Sequence, residues 1–266
     1  MIYIERTEVD LDKAPMVLWD NVLLGGTVSA STEATNNEVE NLLTDSTFDY
    51  WKPTTTSGTV TCSLSTSANA SVVGIAAHDL GTQGATVAVK RGTTTLATIT
   101  PSDDTTILIL FDEASFGDTP STDEFSLVVT GATAAPSIGN LFLGVPLIFE
   151  TGIVPSYTPI WMAEEIELLQ NTSLGGQFFQ NRIVRKSADT SVNLNILERS
   201  EVESTAFQDF RYHYNSAKTF FWAAGPSVFD KDVAYARRTS GGEMRPTFGS
   251  NGIFYQVSLQ MEAYVG

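Results

Sequence analysis

Through the first 150 residues, apolar positions arrive in short runs bounded by Gly, Pro, Asp, Ser and Thr, the spacing of an all-β unit without a convincing helix. The runs are TVSAST (27–32), TVTCSLS (59–65), SVVGIAAH (71–78), ATVAVKR (85–91), TLATIT (95–100), TILILFD (106–112), EFSLVVTG (124–131) and IGNLFLGVPLIFE (138–150). Eight strands so spaced predict a β-sandwich or jelly roll. VVGIAA and ILILF are almost continuously apolar and predict strands in the middle of the sheets. ATVAVKR and TVTCSLS alternate with period two and predict half-exposed strands.

The second half mixes strands with one helix. Strand-like runs are EEIELLQ (164–170), RIVRKS (182–187), TSVNLNILE (190–198), TFFWAAG (219–225), DVAYARRTS (232–240) and GIFYQVSLQMEAYV (252–265), the last long enough for a barrel or an intersubunit sheet. In SVNLNILE, Val192, Leu194 and Ile196 fall on one face and Asn193, Asn195 and Leu197 on the other. SEVESTAFQDFRYHYNSAK predicts a helix over about 201–216, with Ser200 as N-cap, Glu203 closing a capping box, and Val202, Ala206, Phe210 and Tyr214 as the apolar stripe. ETGIVPSYTPI (150–160) carries two prolines and a glycine without periodicity and marks a domain boundary.

Length and charge support that division. A chain of 266 residues, 42% hydrophobic, is enough for one large core or two ordinary ones. Residues 1–150 hold 19 acidic and 5 basic side chains, whereas 151–266 hold 12 and 10, so nearly all of the net charge of −16 sits on the first unit. The expected domains are 1–150, with an N-terminal arm over 1–26, and 151–266. An acidic surface repels phosphate, so nucleic-acid binding is not expected. With no run of 18 apolar residues and no basic-then-apolar N-terminus, the expected chain is soluble, does not insert into a membrane and is not exported by a signal of its own. One cysteine, Cys62, and two histidines, His78 and His213, leave no disulfide, no CxxC site and no plausible ligand set for zinc or iron, so neither metal nor cofactor is expected.

Two stretches hold candidate chemistry. His78 ends an apolar run and is followed by Asp79 and the turn LGTQGA. Neighbours on a strand point to opposite sides, so Asp79 is badly placed to orient His78, and the corner reads first as architecture and second as a ligand contact. In NLLTDSTFDYWKP (41–53), Asp45, Asp49, Tyr50 and Trp51 offer aromatic faces and carboxylates of the kind that hold a sugar. The competing reading makes Trp51 a plug at one end of the sandwich. Asp103-Asp104, Asp112-Glu113 and Asp123-Glu124 lack the spacing of a calcium loop, and SLGGQF (173–178) and RRTSGGE (237–243) lack the residues of a phosphate loop. Arg182, Arg185, Lys186, Arg237 and Arg238 read as ion-pair partners in an assembly.

NLLTDSTFDYWKP, VVGIAAHDLGTQGATVAV and PSIGNLFLGVPLIFE resemble, in order, segments of the galactose-binding-like (discoidin-type) jelly roll of tailed-bacteriophage virion proteins, over about residues 27–150. The order of elements from YTPIWMAEEIELLQ to FYQVSLQMEAYVG is similar to the β-barrel-plus-helix domains of phage tail-tube and distal-tail proteins. The resemblance implies a mainly β protein, a jelly-roll sandwich followed by a barrel with one helix. It implies a structural part of the virion at the tail tip or baseplate, made in the host cytoplasm, that joins copies of itself into a ring and contacts the tail tube and baseplate hub. Phe178, Phe179, Phe220, Phe221 and Trp222 are the aromatics expected at such contacts, with plain core as the alternative for each. A carbohydrate-binding adhesin touching host surface glycans through Asp45, Asp49, Tyr50, Trp51 and His78 is the second expectation, and an enzyme is not expected.

Overall fold

The computed structural model describes residues 1–7, 13–150, 152–153, 157–249 and 254–265. The predicted boundary segment 150–160 lies partly outside them, at 151 and 154–156, as does the start of the predicted last strand at 252–253.

Strands β1 (Ile2–Glu5), β8 (Ile107–Phe116), β5 (Ala68–His78) and β10 (Ile138–Gly144) form an inner sheet in the order β1-β8-β5-β10. Strands β3 (Gly26–Ala30), β4 (Gly58–Leu64), β9 (Phe125–Thr130), β6 (Thr86–Arg91) and β7 (Thr94–Ile99) form an outer sheet in the order β3-β4-β9-β6-β7. Facing side chains of the two make one core, including Val60, Val73, Ile75, Val87, Ile109, Leu127 and Leu141, and the pair is the expected β-sandwich. The alternating text of β4 and β6 becomes alternating burial in the outer sheet, as predicted. β5 and β8 occupy the centre of the inner sheet, and their continuously apolar runs, VVGIA and ILILF, are buried on both faces.

That double burial comes from a third sheet. Strands β11 (Leu147–Ile148), β2 (Met16–Leu18), β14 (Phe220–Ala223), β15 (Val233–Arg238), β17 (Tyr255–Ala263), β13 (Arg182–Leu197) and β12 (Glu164–Leu169) pair in that order, with β16 (Thr247–Phe248) beside β17. Among the described residues, the edges β11 and β12 do not pair with each other, so the sheet is open where a barrel was expected. Its inner face lies on the back of the inner sheet: Met16, Leu18, Phe221, Ala223, Val233 and Tyr235 bury against Val72, Ala76, Leu108, Leu110 and Phe142. At Gly74 the two sheets come close together, since a Cβ there would lie 2.8 Å from the Phe221 ring. The N-terminal arm thus serves both sheets, β1 running parallel to β8 and β2 antiparallel to β14.

A helix closes the far face. A single turn, α1 (Arg199–Val202), precedes α2 (Thr205–Asn215), whose N-cap is Ser204, its Oγ accepting from the Phe207 N–H at 3.2 Å. The N-cap expected at Ser200 is therefore displaced by four residues to Ser204, and the capping box with Glu203 does not form. Phe207, Phe210 and Tyr214 form the buried stripe, with Val202 on the preceding turn and Ala206 exposed. Phe220 and Trp222 meet this stripe and Phe149, while Phe221, between them, faces the sandwich. The aromatic run expected at an exposed contact is thus core throughout, because a central strand is covered on both sides.

β13 departs from its pattern twice. The runs 182–187 and 190–198 are one strand of 16 residues, the longest in the molecule, and β17 has 9 where 14 were expected. A bulge between Leu194 and Leu197, with Ile196 at φ +69°, turns Ile196 outward and Leu197 inward, reversing the predicted faces after Leu194.

Candidate functional site

The His78 corner is held by its own backbone. The imidazole Nδ1 accepts the Leu80 N–H at 3.3 Å, so Nε2 carries the proton and donates to the Thr105 carbonyl at 2.9 Å. Burial holds the ring below its ordinary pKa, against smaller opposing contributions from the Thr105 hydrogen bond and nearby carboxylates. Asp79 turns away: one oxygen accepts from the Ser137 N–H at 2.6 Å and the other from Gln83 at 3.2 Å. Histidine and carboxylate form no dyad. Gly81 sits where a Cβ would meet the Asp103 backbone at 2.3 Å, and Gly84 takes φ +63°. Every feature of the corner has an architectural use.

Trp51 is fully buried, with its indole N–H donating to the Thr32 carbonyl at 3.2 Å and its backbone bridged to Ile138. No face of the ring is open to a sugar. Around it the 44–50 loop is pinned by Asn140, buried in β10, whose amide donates to the carbonyls of Thr44 at 2.6 Å and Ser46 at 3.1 Å. Phe48 is 87% exposed and Tyr50 37%, with Asp49 between them. Asp45, from the same loop, reaches across to the second unit and accepts from the Thr219 hydroxyl at 2.6 Å, which in turn accepts from Tyr235 at 2.7 Å. The five predicted residues thus separate into Trp51 and His78 inside, Asp49 and Tyr50 on the rim, and Asp45 at the junction. The 87% exposure of Phe48 has no periodic signal behind it, and sequence reasoning passed it over.

Cys62 is buried, and burial pushes its thiol up to about 11, which suits a core residue and not a nucleophile. Among the described residues, no group of three His, Cys, Asp or Glu side chains is arranged to hold a metal ion, and no helix is long and apolar enough to cross a membrane.

The most unusual surface lies elsewhere. Among the described residues β12 pairs only with the first half of β13, and in the hairpin they form the apolar side chains Ile166, Leu168, Leu169, Leu174, Ile183 and Val184 are all exposed. Phe178 is 91% and Phe179 56% exposed near the turn. Six residues of strand correspond to a ribbon roughly 20 Å long. A two-stranded ribbon is marginal by itself in water, and an apolar one with a free edge is a surface awaiting cover. β12 carries Glu164, Glu165 and Glu167, and β13 answers with Arg182 and Lys186, of which Lys186 pairs with Glu164 at 3.3 Å.

No family model matches the chain, and no curated protein matches it. Among solved structures, the chitosan-binding module 1 of a chitosanase/glucanase from Paenibacillus sp. IK-5 is 19% identical, covering 47% of this chain and 98% of that one with a TM-score of 0.38. The family 32 carbohydrate-binding module of NanJ from C. perfringens, in complex with galactose, is 12% identical, over 48% and 98%, at 0.39. A putative α-L-fucosidase from Bacteroides thetaiotaomicron is 13% identical, with 51% of this chain matching 30% of that one at 0.40.

Proposed function

We propose that this protein is a structural building block that joins copies of itself through the β12–β13 hairpin, closing a ring around the second unit with the acidic sandwich carried outside. The carrying observation is the hairpin itself, a ribbon with exposed apolar side chains whose outer strand β12 pairs, among the described residues, with β13 alone. Another copy is the occupant proposed because the ribbon bears both halves of a complementary charge pattern, acidic on β12 and basic on β13, which suits a repeated head-to-tail contact. The tail tip of a tailed phage is the setting that the resemblance implies, with tail-tube and baseplate proteins as neighbours. Light scattering and electron microscopy of the purified chain test this reading. Rings or concentration-dependent oligomers are expected, and replacing Leu174, Phe178 and Phe179 by Ser together is expected to leave a monomer with unchanged melting temperature. A wild-type chain that stays monomeric at every concentration sinks the proposal.

A second reading, contact with glycans, is favoured by one separate observation. Phe48, Asp49 and Tyr50 present two aromatic rings and a carboxylate on a loop that Asn140 holds in place. On this reading the sandwich does what the sugar-binding modules are described as doing. Glycan-array binding that disappears in a Phe48→Ala, Tyr50→Ala double variant is the expected result; an array that stays blank with the wild-type chain removes it. Trp51→Ala is no test here, because the ring is core.

A further inference from the structure

We propose that the cleft between the sandwich and the C-terminal end of α2 binds a neutral hexose unit of a saccharide. The proposal rests on the glycan reading and adds to the 48–50 rim a second, separate contact for a single sugar unit, at a site that only the two units together create.

The cleft holds about 460 Å³, inside the roughly 300–1,000 Å³ of small-ligand sites, which favour boundaries between units. Its walls come from four segments: Trp19, Asp20 and Leu24 ahead of β3, Asp45 on the loop of the sandwich, Phe142 on β10, and His213 and Lys218 at the end of α2. Trp19 is half-buried, set edge-on to His213 at 5.3 Å and tilted against Phe210 at 6.3 Å, which fixes the plane of its indole. Leu24 is exposed on the rim.

This lining matches the two-sided chemistry of a pyranose. An indole and a leucine meet its C–H face, while Asp20 and Asp45 accept from hydroxyls and Lys218 donates to them. Two carboxylates against one ammonium disfavour phosphates and sugar acids, and the charged rim disfavours a wholly apolar guest. The walls are also set in advance. Asn21, buried, donates to the Leu141 carbonyl at 2.9 Å and accepts from Leu143 at 3.1 Å and Leu23 at 3.3 Å, tying the Trp19–Leu24 segment to the inner sheet. Thr219 anchors the Asp45 and His213 walls, donating to Asp45 at 2.6 Å and accepting from His213 Nε2 at 2.7 Å through its carbonyl. A site whose side chains need no reordering keeps more of its contact energy as affinity.

The test is a titration of the full chain with galactose, glucose, mannose and N-acetylglucosamine, read by saturation-transfer NMR and calorimetry. Binding of at least one sugar in the millimolar range is expected, with Asp20→Asn and Lys218→Ala each weakening it roughly tenfold, the effect of one good hydrogen bond. Both side chains are exposed, so unchanged melting temperatures should accompany those losses. Trp19→Ala is expected to abolish binding of the single sugars, and Phe48→Ala with Tyr50→Ala, which removes capture of longer glycans at the rim, to leave single-sugar binding intact. A sugar that binds equally well to the Asp20→Asn and Lys218→Ala variants, or loses affinity only in the Phe48/Tyr50 double variant, overturns the cleft and leaves the wider glycan reading standing. No signal with any of the four sugars also overturns the cleft, and the array result then judges the wider reading by itself.

Discussion

Single residues divide sharply between structure and surface, and Trp51 shows how. Its ring fills the end of the sandwich, with Gly58 so near that a Cβ there would lie 2.8 Å from it. Trp51→Ala should cost about 3–5 kcal/mol in urea unfolding, as for other large core deletions, while Tyr50→Ala beside it should fall within experimental noise. His78 and His213 carry a pH dependence. Burial is the largest cause of the lowered pKa at both, so the folded state binds fewer protons than the unfolded chain near and below the ordinary value of 6.5. Their contribution is complete above that value and lost as pH falls below it. The melting temperature should therefore drop between pH 7.5 and 5.5, and His78→Gln should flatten part of that drop. An unchanged profile in the variant would remove His78 as the cause.

At the scale of elements, local pattern located nearly every strand and misplaced the details that depend on neighbours. The capping box expected at Ser200 and Glu203 gives way to Ser204 as the cap of α2, a start from which Phe207 and Phe210 pack against the third sheet. Ser204→Ala should lose about 1 kcal/mol of stability, whereas Ser200→Ala, whose hydroxyl reaches only Glu198 at 3.4 Å, should lose almost none. The bulge at Leu194–Leu197 has the same origin: it swings Leu197 into the core beside Val202, a demand no alternation rule contains. β1 and β2 lie within the expected N-terminal strand or arm over 1–26, but 4 and 3 residues are too few to show a period that would place them individually. For the hairpin, Phe178 and Phe179 were expected at a contact and are exposed, whereas the exposure of Ile166, Leu168, Leu169, Ile183 and Val184 was not legible.

The whole molecule is four layers deep: outer sheet, inner sheet, third sheet and helix. Phe142, Phe221 and Tyr235 meet as three rings with centroids 5.0–6.0 Å apart between the inner and third sheets. Beside them, Tyr235, Thr219 and Asp45 form a hydrogen-bonded chain from one unit to the other. An apolar junction of this kind should make the two units unfold together. Calorimetry should show one transition for the wild-type chain and a broadened or split one for Phe221→Ala, which opens a void against Gly74. Two resolved transitions in the wild type would contradict the coupling.

The sequence by itself determined what depends on neighbours along the chain: a mainly β protein, the order of its strands, a sandwich in the first half, a helix after residue 200, and charge gathered on the first unit. Tertiary structure alone decided which apolar residues are covered. FFW and QFF look alike as text, yet Phe220, Phe221 and Trp222 lie in a central strand between two layers, and Phe178 and Phe179 lie exposed on a ribbon that none of the other described residues covers. The physical reason is that periodicity records which side of its own backbone a side chain takes. Burial is set by what the rest of the chain, or another molecule, brings to that side.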